Sequence, residues 1–307
     1  MNNIELQAKN YLKYCANQKR LDSKTIKAYR IDLTQFIRQI DKTELNDITQ
    51  ETLERYISHL HQIYQPKTVK RKIASLKAFF HYFEYKELIP QNPFNKIVVK
   101  FREPIILPKT IPLQTIERLL KTIYNQQKNG KTAHQRREAF RDAAVCELLF
   151  ATGMRISELC SLNINDVNLQ DGTILIYGKG SKERRLHLGS TDVINALKNY
   201  KTEFYSEIKH CQNFFVNQSG RPLSDQAVRR MIVRYTNLAA IDLHITPHMF
   251  RHTFATSLLE ADVDIRYIQE MLGHSSINIT EIYTHVAVSK QKEILSSKHP
   301  RKDFIIF

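Results

Sequence analysis

The chain has 307 residues, 42% of them hydrophobic and 25% charged, which is typical of a globular protein with one or two domains. The low counts of 8 glycines and 9 prolines argue against a fibrous or low-complexity protein. The formal charge of +15 at neutral pH favours a polyanionic partner, most often a nucleic acid, over a basic protein charged for solubility alone.

The four cysteines are scattered and form no C-x-x-C pair, which is typical of reduced thiols in a cytosolic protein. The N-terminus is polar from its second residue, so no signal peptide is expected. No apolar run approaches the roughly 20 residues that a membrane span needs. We therefore expect a cytoplasmic protein without a membrane partner.

The first hundred residues predict helices only. Ser23 is a candidate N-cap for "KTIKAYRIDLTQFIRQI", and Asp47 is one for "ITQETLERYISHLHQI". Pro66 suits the first turn of a longer helix, which two prolines in "IPQNPFN" bring to an end. We predict a helical domain at residues 1–100, a proline-rich linker at 101–112 and a second domain at 113–307.

The long helix after Pro66 has two contrasting faces. Apolar residues in steps of four and three form one stripe, which consists of Val69, Ile73, Leu76, Phe80 and Phe83. The opposite face carries only positive charge, from Lys67, Lys70, Arg71 and Lys77. A face of one sign suits the DNA backbone, because each phosphate contact releases counterions. An ordinary solvated face is the alternative, although such a face normally includes glutamates.

The second part mixes helical and strand patterns. The polar composition of residues 121–138 predicts an exposed excursion without chemistry, and "QRREAFRDAAVCELLFATGM" predicts a buried helix. Turns at Asp171-Gly172 and at residues 178–181 separate three runs that predict a small antiparallel sheet. Four helical segments follow, and they are "TDVINALKNYKTEFYSEI", "SDQAVRRMIVRYTNLAA", "TPHMFRHTFATSLLEA" and "DIRYIQEML".

Several polar residues in this part are hard to explain by packing. Arg155 follows the buried helix at a glycine-marked bend, where it either pairs with Glu158 or binds an anion. Lys179 lies between two glycines at a hairpin tip, where a lysine is most often merely solvated. His274 follows another glycine at a helix end, and Tyr283 taken alone would be a packing aromatic.

His248 and Arg251 are three residues apart and share a helix face. His252 completes an H-x-x-x-H pattern that raises a zinc interpretation, but Met249 stands where H-E-x-x-H has its glutamate. The candidates together comprise two arginines, one lysine, two histidines and one tyrosine. Such a set contains what metal-free phosphoryl transfer needs, namely cations for the non-bridging oxygens, a nucleophilic hydroxyl and a proton donor.

Four segments carry a resemblance to a known family, and they are "ATGMRISEL", "GKGSKER", "HMFRHTFAT" and "LGHSSINITEIYTH". They resemble the tyrosine recombinases of the lambda-integrase type, most closely the Xer recombinases, in order and at matching spacings. The resemblance extends to the helical first part and to the tail "THVAVSKQKEILSSKHPR".

The resemblance implies a role for each candidate. Arg155 and Arg251 would clamp the phosphate, Lys179 would protonate the leaving 5′-oxygen, and His274 would hydrogen-bond the scissile phosphate. Tyr283 would be the nucleophile.

The resemblance also implies supporting roles. His248 would assist proton handling at the tyrosine, Glu158 would hold the arrangement, and His252 would be structural.

The resemblance further implies two transesterifications through a 3′-phosphotyrosyl link, without ATP, metal ion or other cofactor. The implied fold is mainly α, a SAM-like core-binding domain plus an α+β catalytic domain, forming a C-shaped clamp on double-stranded DNA. A homotetramer, or a heterotetramer with a second recombinase, would assemble on DNA through the C-terminal segment.

The implied role is chromosome or plasmid dimer resolution, with integration of a mobile element as the alternative. A non-catalytic DNA-binding protein, a metal-dependent nuclease and a topoisomerase are the other hypotheses.

Overall fold

The computed structural model of the protein describes residues 3–98, 108–178 and 183–273. The chain forms two compact units, Met1–Ile105 and Ile106–Phe307. Within the described residues the first unit contains helices, and the second adds one three-stranded sheet to its helices. The prediction of a mainly α protein with a small sheet is confirmed. None of the described helices combines the length and the apolar character that crossing a membrane requires.

The first unit has four α-helices in its described residues, which are α1 (Ile4–Asn17), α2 (Ser23–Gln39), α3 (Gln50–Ile63) and α4 (Pro66–Tyr85). The helix starts differ slightly from the prediction. Asp22 rather than Ser23 caps α2, with its carboxylate accepting from the Lys24 N–H at 2.7 Å. Thr49 rather than Asp47 caps α3, because Asp47 closes a short 3₁₀ turn before it.

Helix α4 is the centre of the first unit. All five residues of its predicted apolar stripe are buried, so the predicted stripe is confirmed. The stripe packs with Phe79 and with apolar side chains of α1, α2 and α3. Burial of this face explains why α4 presents Lys67, Lys70, Arg71 and Lys77 on its exposed side.

The second unit surrounds one buried helix. Its first elements are α5 (Leu113–Asn129), α6 (Ala133–Thr152), α7 (Ile156–Ser161), β1 (Val167–Asn168), β2 (Thr173–Tyr177) and β3 (Glu183–His187). The later ones are α8 (Thr191–Glu203), α9 (Tyr205–Ile208), α10 (Asp225–Leu238), α11 (Pro247–Glu260) and α12 (Ile265–Leu272). The strands pair antiparallel in the order β1-β2-β3, as predicted.

Helix α6 is buried on most of its circumference, because α5, α8 and α11 pack around it. Two of its buried charges, Arg141 and Asp142, are paired inside the unit. Asp142, for example, accepts hydrogen bonds from Arg141 at 2.8 Å and from Arg234 at 2.5 Å. The helix ends at Gly153, whose φ of +57° belongs to the left-handed region.

The prediction that residues 121–138 form an exposed excursion is wrong. Most of this stretch belongs to α5 and α6, and only a short turn after Asn129 separates the two helices. Ile123 is fully buried, and Tyr124 donates a hydrogen bond of 2.8 Å to Glu147. The polar composition belongs to the outer face of an amphipathic helix, so the chain makes no excursion here.

Candidate active site

The structure describes half of the six predicted catalytic residues, namely Arg155, His248 and Arg251. The other three, Lys179, His274 and Tyr283, lie outside the described residues, as does the predicted C-terminal docking segment. In the chain, however, described residues lie next to the predicted hairpin tip and next to His274. Strand β3 begins at Glu183, just after the predicted hairpin tip, and Gly273 immediately precedes His274.

Arg251 lies in α11 and is only 4% exposed. Its Nη1 donates to the carbonyl oxygen of Gly153 at 2.8 Å, and its Nη2 donates to that of Leu272 at 2.7 Å. These carbonyls belong to the C-terminal ends of α6 and α12, which carry partial negative charge. One guanidinium therefore joins two helix ends and brings a positive charge between them.

Arg155 precedes α7 and forms the predicted pair with Glu158. The carboxylate accepts from the Arg155 backbone N–H at 2.9 Å and from its Nη1 at 2.8 Å. The Nη2 atom lies 3.5 Å from the carbonyl oxygen of Gly273. Because the Arg155 side chain remains 35% exposed, pairing with Glu158 leaves the guanidinium accessible to an anion.

Arg184 on β3 is a further member of this cluster, and sequence reasoning missed it. Its Nη1 and Nη2 donate to Glu158 at 3.2 and 2.6 Å, and its Nε donates to the carbonyl oxygen of Met271 at 2.8 Å. A signal for this position was present, because strand alternation places Arg184 on the same face as the buried Leu186.

Three arginines thus donate to three successive carbonyls at the end of α12. Arg184 binds that of Met271, Arg251 that of Leu272, and Arg155 lies against that of Gly273. The three side chains come from a strand, a helix interior and a helix start. The cluster therefore fixes the backbone that leads directly into His274.

Glu158 is the acidic centre of the cluster. Burial by itself would raise the pKa of this carboxyl, but hydrogen bonds from Arg184 and from the Arg155 backbone outweigh it and hold the pKa below its usual range. The carboxylate is therefore ionised at neutral pH. It compensates part of the charge that the arginines bring together.

The two histidines of α11 have lowered pKa values. Partial burial and the positive charges of Arg229, Arg251 and Arg155 lower the pKa of His248. Partial burial, with the charges of His248 and Arg251, lowers that of His252. Both rings are therefore neutral at pH 7, and a neutral imidazole can accept a proton. Among the described residues, no group of three or more histidine, cysteine and acidic side chains could hold a metal ion.

Comparison with known proteins identifies the family. Residues 110–290 match the phage integrase family, and residues 8–86 match the N-terminal SAM-like domain of phage integrases. The chain is 67% identical over 304 residues to a tyrosine recombinase of Agathobacter rectalis, with 99% of each protein covered. The chain belongs to the phage integrase family of tyrosine recombinases.

Two further relatives place this tyrosine recombinase near the Xer proteins. It is 36% identical to the tyrosine recombinase XerD of Listeria monocytogenes, covering 95% of this chain and 97% of the relative. The crystal structure of the XerH site-specific recombinase, bound to a palindromic difH substrate after cleavage, aligns with a TM-score of 0.74 and 26% identity. That alignment covers 94% of this chain and 84% of XerH. The predicted Xer-like resemblance and site-specific recombinase activity are confirmed.

The helical unit of this tyrosine recombinase carries the predicted basic face on α4. All four predicted side chains of that face, which are Lys67, Lys70, Arg71 and Lys77, are exposed. Arg71 also pairs with Asp32, a carboxylate only 1% exposed. Asp32 additionally accepts hydrogen bonds from the buried Lys72 at 3.2 Å and from Ser75 at 3.1 Å. Arg71 therefore joins the basic face to a buried ion cluster that the sequence pattern did not reveal.

Proposed function

We propose that this tyrosine recombinase cuts and rejoins DNA by two transesterifications through a 3′-phosphotyrosyl link on Tyr283. The observation that carries the proposal is the convergence of Arg155 and Arg251 on the carbonyls of Gly273 and Leu272. Two guanidinium groups at one helix end, immediately before His274, supply the positive charge that a phosphorane transition state requires.

Each step of the proposed reaction balances. The Tyr283 hydroxyl oxygen bonds to phosphorus while the bond from phosphorus to the 5′-oxygen breaks. His248 accepts the phenolic proton, and Lys179 gives a proton to the departing 5′-oxygen. Arg155, Arg251 and His274 stabilise the charge on the non-bridging oxygens.

The second transesterification reverses the first with a new partner strand. A 5′-hydroxyl of that strand attacks the phosphotyrosyl link and releases the tyrosine. The phosphodiester energy stays in the covalent link between the two steps, so neither ATP nor another cofactor enters the reaction.

The neutral state of His248 supports its role in the first step. The unperturbed pKa of tyrosine is about 10, so the phenol needs a base to lose its proton at neutral pH. Partial burial lowers the pKa of His248, and the charges of Arg251 and Arg155 lower it further, which keeps the ring available as a proton acceptor. The same arginines would stabilise a developing phenolate.

We also propose a role for each part of the chain. Residues 1–100 form the core-binding domain, residues 101–112 the linker and residues 113–307 the catalytic domain, and both domains bind double-stranded DNA. The exposed basic face of α4 supports a phosphate-binding role for Lys67, Lys70, Arg71 and Lys77. Four protomers, identical or paired with a second recombinase, would assemble on two sites.

The biological role that we propose is Xer-like resolution of chromosome or plasmid dimers, supported by the likeness to XerD over nearly the whole chain. Sequencing of the DNA recovered in covalent adducts from cells tests this role. Adducts at one chromosomal or plasmid site would support it. Adducts at the ends of a transposable or phage element would contradict it.

The chemistry is tested with two labelled duplexes that carry the recovered site. We expect strands to be exchanged between the duplexes at an undiminished rate in EDTA and without ATP. Relaxation of supercoils without exchange would instead indicate a topoisomerase. Cleavage abolished by EDTA would indicate a metal-dependent nuclease.

A further inference from the structure

We propose that Arg184 is a positioning residue for strand cleavage, one that holds Arg155 and the end of α12 in the geometry that clamps the scissile phosphate. This inference rests on the proposed function above. Arg184 does not itself need to touch DNA, because it acts through Glu158 and through the Met271 carbonyl.

All three guanidinium nitrogens of Arg184 donate hydrogen bonds to groups of the site. Its side chain is only 8% exposed, and three nitrogens donate to Glu158 and to Met271. A guanidinium holds five N–H donors in a fixed planar fork, which a lysine ammonium cannot reproduce. The side chain is thus oriented inward, toward the two groups that it holds.

The Glu158 carboxylate connects Arg184 to Arg155. Glu158 Oε1 lies between Arg155 Nη1 at 2.8 Å and Arg184 Nη1 at 3.2 Å. Glu158 Oε2 is shared between the Arg155 backbone N–H and Arg184 Nη2. Removing Arg184 takes away half of the hydrogen bonds that orient this carboxylate, and the carboxylate in turn orients Arg155.

A second path runs through α12. Gly273 packs against Arg184 so closely that an added Cβ would lie 3.0 Å from Nη1 and 3.3 Å from Cζ. The guanidinium therefore packs against Gly273, the residue before His274, and also donates a hydrogen bond to the carbonyl oxygen of Met271. Arg184 lies opposite Ile176 of β2 in the sheet. Its side chain therefore connects the sheet to Glu158 and to the end of α12.

The experiment compares two charge-preserving changes on one strand, Arg184→Lys and Arg185→Lys. Arg185 is exposed and points to the other side of β3. We expect Arg184→Lys to keep its Kd for a site duplex within about twofold and to form covalent adduct about 100-fold more slowly, the cost of a misplacement of about 1 Å. Arg185→Lys should cleave at the wild-type rate.

A neutral substrate separates positioning from a general loss of structure. In a methylphosphonate, a methyl group replaces one non-bridging oxygen, so the scissile group has no negative charge for Arg155 to neutralise. We expect the defect of Arg184→Lys to shrink to less than about tenfold on this substrate, because the clamp then contributes little. The defect of Lys179→Ala should stay the same, since the leaving oxygen still needs its proton.

Equal defects of Arg184→Lys on the two substrates would overturn the inference. Cleavage of the ordinary phosphate by Arg184→Lys at the wild-type rate would also overturn it. Glu158→Gln gives a second route if Arg184→Lys lowers the melting temperature of the protein. The cleavage defect of Glu158→Gln should also be smaller on the methylphosphonate than on the ordinary phosphate. An equal defect on the two substrates would again overturn the inference. Failure of the wild type to form any adduct would instead overturn the proposed function.

Discussion

The Nη2 atom of Arg251 donates a 2.7 Å hydrogen bond to the carbonyl oxygen of Leu272, at the end of α12. The other arm of the guanidinium reaches the carbonyl of Gly153 at the end of α6. A residue of α11 thus fixes the distance between two helix ends, each followed by a glycine in the left-handed region. The absence of a Cβ at Gly153 leaves room for Phe254 and Leu272, and its absence at Gly273 leaves room for Arg184.

Gly153→Ala should disturb the joint between these helices. A Cβ at this position would lie 2.6 Å from Phe254 and 2.9 Å from Leu272, and φ is +57°. Left-handed strain costs roughly 1–2 kcal/mol, and overpacking typically adds 1–3 kcal/mol. We expect the free energy of unfolding to fall by about 3 kcal/mol in urea titrations followed by circular dichroism, and adduct formation to fall with it.

Gly189→Ala is the matched control for this substitution. No atom lies within 4 Å of the added methyl group there, and the backbone is not left-handed. Its free energy of unfolding should stay within about 0.5 kcal/mol of the wild type. Equal losses in the two variants would show that the packing around Gly153 does not matter.

The pH dependence of cleavage should report His248. Its folded pKa lies below 6.5, so more than half of the rings are neutral at pH 6.5 and the proton-accepting form is lost as the pH falls further. We expect the acid limb of kcat/KM for adduct formation to be centred below pH 6.5, because kcat/KM reports groups of the free enzyme.

His248→Gln should lower the rate by about 100-fold and remove the acid limb of the profile. The profile of wild type at matched ionic strength is the reference. An acid limb centred above pH 6.5, or one that persists in His248→Gln, would mean that another group controls the proton.

The basic face of α4 should determine part of the salt dependence of DNA binding. Each phosphate contact contributes about one unit to the slope of log K against log salt concentration. The double variant Lys67→Gln/Lys70→Gln should therefore reduce that slope by about 2, measured by fluorescence anisotropy with a site duplex. Lys201→Gln on α8, an exposed lysine of the other unit, should leave the slope unchanged. A loss of slope in Lys201→Gln equal to that per lysine in the double variant would contradict the assignment.

The buried pair of Asp32 and Lys72 in the first unit should matter for stability mainly when one partner is removed without the other. Lys72 is 2% exposed and depends on Asp32 for its countercharge. Asp32→Asn should lower the free energy of unfolding by about 3 kcal/mol, because it leaves a buried charge uncompensated. Asp32→Leu combined with Lys72→Met should recover most of that loss, and Asp41→Asn at an exposed site should change little. If Asp32→Asn proved as mild as Asp41→Asn, the cluster would not be stabilising.

Local periodicity explains what the sequence could predict. The apolar steps of α4 and the alternation of the three strands are set by residues close in the chain, so they were correctly interpreted. Helix starts were less certain, since Asp22 and Ser23 are adjacent and both can cap. Composition misled us at residues 121–138, although the buried residues Ile116, Leu119 and Ile123 carry helical spacing into that stretch.

Long-range pairs explain what the sequence could not predict. Arg184 lies 26 residues from Glu158 in the chain, and Arg71 lies 39 residues from Asp32. No local pattern specifies which carboxylate a distant arginine will meet. The roles of Arg155, His248 and Arg251 came from resemblance, and only the folded chain explains how carbonyls and a carboxylate hold the two arginines.

The proposed reaction depends most directly on Tyr283 as the nucleophile. The decisive measurement follows covalent protein–DNA adduct on a nicked suicide substrate, for wild type and for Tyr283→Phe, with DNA binding measured in parallel. The account predicts equal binding, adduct with wild type, and no adduct with Tyr283→Phe, because phenylalanine lacks only the attacking oxygen. Adduct formed by Tyr283→Phe at any appreciable rate would contradict it.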